Sequence, residues 1–188
     1  MDGERYFKLS AAIRTCDTIS LWSGKIVGWL IIPMCLALSY EVLVRYVFSS
    51  PTVWAYDVTF MLYGTHFMLG AAYTLLTQGH IRTDFLYRFF SLRTRALIDA
   101  FFYGLFYFPG LLVFLWIGWK FTVQSWVLKE RIVTSPWLPP VYPLKTVIPI
   151  ALILLLIQGI SELGKCIYTI IYNEEYPNTW GTGGYEEI

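Results

Sequence analysis

Charged residues withdraw from the chain in four places, and those gaps set the expected architecture. The run 58–79 carries no Asp, Glu, Lys or Arg. As a helix rising about 1.5 Å per residue it would measure about 33 Å, close to the hydrocarbon thickness of a bilayer. Uncharged runs also cover 100–119 and 146–161, and a mostly apolar segment covers 26–44. The pattern predicts an all-α integral membrane protein with four transmembrane helices, at about 26–44, 58–79, 97–120 and 145–165.

The boundaries carry the polar and aromatic residues expected where a helix meets headgroups. In the first span, Pro33 removes a backbone donor and predicts a kink, and Gly24 and Gly28 form a GxxxG pair suited to close helix approach. Glu41 precedes Arg45 by four residues, so the two share a helix face as a neutralising pair. Between the second and third spans, Ile81, Phe85, Phe89 and Leu92 form one stripe, opposed by Thr83, Asp84, Tyr87, Arg88 and Ser91. That spacing predicts an amphipathic helix lying in the membrane interface. Pro109 falls near the middle of the third span. Pro136, Pro139, Pro140 and Pro143 predict an extended connection before the fourth, where Pro149 is expected in the first helical turn. Residues 1–25 read as a cytoplasmic N-terminal segment, 26–165 as the membrane domain and 166–188 as an acidic, disordered cytoplasmic tail. The first twenty residues mix acids and bases, so no removable signal peptide is expected.

Composition agrees with a bilayer as solvent. Only 14% of residues are charged, against about 25% in soluble domains. The net charge of +1 gives no sign of nucleic-acid binding, which calls for a clustered basic face. Cys16, Cys35 and Cys166 are too scattered for a disulfide framework or a zinc site, and no cofactor or metal is expected. Orientation follows from Lys and Arg. One side receives Arg5, Lys8, Arg14, Lys25, Arg82, Arg88, Arg93, Arg95 and Lys165, and the other receives Arg45, Lys120, Lys129, Arg131 and Lys145. The excess on the first side places both termini in the cytoplasm.

Candidate chemistry is sparse. No catalytic or phosphate-binding motif is present, so the chain does not read as an enzyme. His66 and His80 lie on one expected helix and cannot clamp a haem between two. His66 suits an interhelical hydrogen bond. The polar residues at the span ends form a candidate interfacial or partner-facing network: Glu41, Arg45, Trp54 and Asp57 at one boundary, His80, Arg82 and Asp84 at the other. In it Arg45 bridges Glu41 and Asp57, and His80 pairs with Asp84. Lipid anchoring and contacts to a partner subunit both fit these residues.

Arg45-Tyr46-Val47-Phe48, Pro51 with Trp54, Gly70-Ala71-Ala72, His80-Ile81-Arg82-Thr83-Asp84, Trp137-Leu138-Pro139-Pro140, Pro143-Leu144-Lys145 and Leu156-Ile157-Gln158-Gly159 follow in an order that resembles the small membrane subunit of TRAP (tripartite ATP-independent periplasmic) transporters. The resemblance covers about 26–162, with Asp57 standing where many members carry Glu. It implies a non-catalytic subunit of the bacterial inner membrane that braces a large membrane (M) subunit. With a periplasmic substrate-binding protein, that assembly takes up a small organic acid by sodium symport. Trp137 and Tyr142, on the outward connection, are expected to touch the binding protein. The competing reading is a stand-alone proton-coupled multidrug-type carrier using Glu41.

Overall fold

The computed structural model describes residues 3–77 and 90–177. Among them the chain is helical throughout, with one isolated β-bridge, Arg131 to Pro140, and no strand. The helices are α1 (Gly3–Gly28), α2 (Ile31–Val47), α3 (Ala55–Leu76), α4 (Leu92–Phe102), a π-helical turn (Tyr103–Tyr107), α5 (Phe108–Leu128) and α6 (Tyr142–Tyr172). The expected interfacial helix falls almost entirely outside the described residues, as do His80, Arg82 and Asp84.

Three stretches are long and apolar enough to cross a membrane: Leu9–Val47, Leu92–Leu128 and Tyr142–Tyr172. They match the first, third and fourth expected spans. The helix at the second, α3, has 22 residues but is not among the three, because Asp57, His66, three tyrosines and three threonines dilute its apolar character. The first stretch begins well before residue 26, since α1 continues the helix back through residues expected to precede the membrane domain. Its buried positions explain why: Ile13, Asp17, Ser20 and Val27 recur at helical spacing and turn toward α3 and α6, against which α1 packs.

α6 is the hub, in contact with α1, α3, α4 and α5. Small residues let it come close. A methyl added at Gly159 would overlap the Tyr107 ring, and one at Gly164 would press on Ile13 at 3.1 Å. Of the GxxxG pair, Gly24 is closed by Tyr73 whereas a methyl at Gly28 would meet nothing within 4 Å.

Prolines set the irregularities. Pro33 cannot donate to the Trp29 carbonyl, and the helix breaks at Trp29–Leu30, where Ile32 N–H bonds Trp29 at 3.2 Å instead. The π-helical turn lies just before Pro109, which withdraws the donor that Leu105 would otherwise receive. Pro149 is not in a first turn. α6 starts at Tyr142, so Pro149 is inside the helix and buried. The carbonyl it leaves free, Lys145, accepts the Thr122 hydroxyl of α5 at 2.8 Å. The proline-rich connection is not extended either. Its arms close on each other, with Val141 N–H bonded to Glu130 O and Ile132 N–H to Pro139 O, each at 3.0 Å.

Candidate functional site

Polar side chains gather at two levels of the bundle. At the first, Glu41 is held at both carboxylate oxygens. The Arg45 guanidinium donates to Oε1 through Nε at 2.8 Å and also through Nη2, and Thr52 donates to Oε2 through its hydroxyl and through its N–H at 3.0 Å. The i, i+4 pair is as expected, and Thr52 adds the turn that brings the chain into α3. Trp54 stacks on Tyr40 with ring centres 5.8 Å apart, fixing the same turn.

Asp57 is buried but does not share Arg45. Its partner is the Ser135 hydroxyl, from the connection between α5 and α6. Ser135 also accepts the Trp137 N–H at 3.2 Å, so one carboxylate ties that loop down over the mouth of α3. Trp137 is exposed at the loop surface. Tyr142 packs its ring on Trp126, centres 4.5 Å apart, and is half-buried. At the base of the same loop, Lys145 Nζ of α6 and the Ser125 hydroxyl of α5 both donate to Glu130 Oε2. The Lys145 hydrogen bond, then that of Ser125, holds the Glu130 carboxyl below the usual carboxylate range.

The second level is closed to solvent. Lys165 bridges Asp17 Oδ2 at 3.1 Å and Glu162 Oε1 at 2.8 Å. Gln158, 0% exposed, donates to Asp17 Oδ1 at 3.0 Å and Glu162 Oε1 at 3.1 Å, and Ser161 donates to Asp17 Oδ1 at 2.5 Å. These contacts join α1 to α6. From the sequence, Asp17 falls in the cytoplasmic N-terminal segment, Glu162 just past the last uncharged run and Lys165 among the cytoplasmic-side cations. The readable signal was the spacing Gln158, Ser161, Glu162, Lys165, one face of one helix. Between the levels, His66 Nδ1 donates to the Val27 carbonyl at 3.1 Å, the interhelical bond expected of it.

Most charges at the two levels are paired; buried Asp57 is met by a hydroxyl alone, and the buried Gln158 Oε1 and Ser20 Oγ have no hydrogen-bond partner among the described residues. Among the described residues no group of three His, Cys, Asp or Glu is arranged to hold a metal. Glu41, engaged by Arg45 and Thr52, is in a poor position to exchange protons with a substrate. Neither a curated protein nor a solved structure matches the chain. A family model does, that of the tripartite ATP-independent periplasmic transporters, DctQ component, over residues 34–167. That family is a transporter subunit rather than an enzyme, and the match decides between the subunit and the stand-alone carrier. The chain belongs to the DctQ component family of the tripartite ATP-independent periplasmic transporters.

Proposed function

We propose that this chain braces the large membrane subunit of its transporter, in an inner membrane with both termini in the cytoplasm, for sodium-coupled, binding-protein-dependent uptake of a small organic acid. The observation that carries the reading is the pairing of charges at two levels. Lys145 and Lys165 are 20 residues apart on α6, about 30 Å of helix, the thickness of the hydrocarbon core. Each is matched by carboxylates, which suits a scaffold better than a solute path. The remaining span in this reading, the second along the chain, is α3. Its Thr59, Thr65 and Thr74 hydroxyls bond the carbonyl one turn back and its His66 bonds α1, which lowers the cost of burying them in lipid. The cluster of Glu41, Arg45, Trp54 and Asp57 faces the outer headgroups, and Trp137 meets the binding protein.

The test is co-expression with the large membrane subunit followed by size-exclusion in mild detergent. Co-elution is expected, and separate elution would overturn the reading. Vesicles containing this chain alone should pass neither sodium nor organic acid; flux from the lone chain would count equally against it. Arg45→Ala should impair uptake more than Arg131→Ala, and equal effects would remove the Arg45 cluster from the account.

A further inference from the structure

The break at Trp29–Leu30 lies deep in the bundle. Its neighbour Val27 bonds His66, the twelfth of the 22 residues of α3, so the break sits near the bilayer midplane in the reading above. Two backbone groups there, the Gly28 carbonyl and the Ile31 N–H, have no hydrogen-bond partner among the described residues. Trp29 beside them is 71% exposed, and the space over Gly28 is open. In hydrocarbon each unpaired backbone group costs several kcal/mol, and irregular backbone persists at that depth only where protein covers it or water fills a cavity. The outer face below the break is compatible with close approach, because Ile32, Cys35 and Ser39 follow Gly28 on one side of α2 and are exposed.

The outer face of α5 has a different character. Trp116, Ile117 and Trp119 are exposed there, and Lys120 lies over the Trp116 ring at 3.7 Å. Bulky aromatics with a snorkelling cation suit lipid.

We propose that a transmembrane helix of the large membrane subunit crosses α1–α2 at the Gly28–Ile31 break, setting a hydroxyl or carboxamide side chain into it. Such a group donates to the carbonyl and accepts from the amide at once. The inference rests on the subunit reading and names the surface it uses.

The test uses the co-expressed complex. A photo-crosslinking residue at Ile32 should join the large subunit, and one at Val113 on α5 should not. Gly28→Leu should lower recovery of the large subunit about tenfold, the effect of one interhelical hydrogen bond with its packing, while Val113→Leu leaves it unchanged. Crosslinks from Val113 alone, a crosslinked pair of this chain from Ile32, or full recovery with Gly28→Leu would each overturn the proposal. If the unmodified chain recovers no large subunit, the underlying reading fails instead.

Discussion

The two ends of the bundle use the same residue types under different solvation. At the Asp17–Lys165 end, two carboxylates, an ammonium and a carboxamide are enclosed between α1 and α6, all almost fully buried. At the other end, Arg45 is half exposed beside Glu41, and Glu130 is partly exposed beside Lys145. Charges removed from water depend on their partners, whereas charges left in it depend mainly on water. The buried end therefore acts as a fastener between distant segments, whereas the open end combines local ties with one long-range contact, Asp57 to Ser135.

The sharpest way to break this contrast is to remove one partner at each end. Lys165→Met strands two buried carboxylates and should cost about 3–5 kcal/mol, measured as the unfolding midpoint in detergent. Arg45→Ala should cost about 1 kcal/mol or less, and equal losses would erase the distinction. Next in size, Gly159→Ala forces a methyl against the Tyr107 ring and should cost about 1–3 kcal/mol through overpacking; the same assay checks it. Thr122→Val deprives the Lys145 carbonyl of its donor and should cost about 1 kcal/mol, while Thr18→Val on the exposed face of α1 should not register. The smallest effect is a pH dependence at the open end. The Glu130 carboxyl is depressed by Lys145 and Ser125, so its contribution is complete above the ordinary carboxylate value, about 4.3, and fades as pH falls through its lower folded value. Melting between pH 7 and pH 3 should lose a component that Glu130→Gln lacks, and identical profiles would refute the assignment.

What could be read from the sequence was what is local. Glu41 and Arg45 meet because four residues bring side chains over each other, and the uncharged runs at 100–119 and 146–161 are contained in helices of spanning length. Pro33 announced a kink, and the break falls one turn before it. The partners of Asp57 and Asp17 could not be read, because Ser135 and Lys165 reach them only after the chain has returned. α1 was misleading for a related reason. Its exposed face mixes Arg14, Thr15, Thr18 and Lys25 with Ile19, Trp22 and Ile26, and its buried face includes Asp17 and Ser20, which look like surface residues until α6 supplies their surroundings. Pro149 was misplaced because α6 starts upstream of the uncharged run, at Tyr142.

The π-helical turn at Tyr103–Tyr107 behaves as a phase shift in the rod that runs from Leu92 to Leu128. One surplus residue offsets everything beyond it by about 100°. Ala96 before the turn and Gly118 after it are both seated inward. Deleting Gly104 would leave both helices intact yet swing the second about the rod's axis by about 100°, re-aiming every side chain beyond the turn.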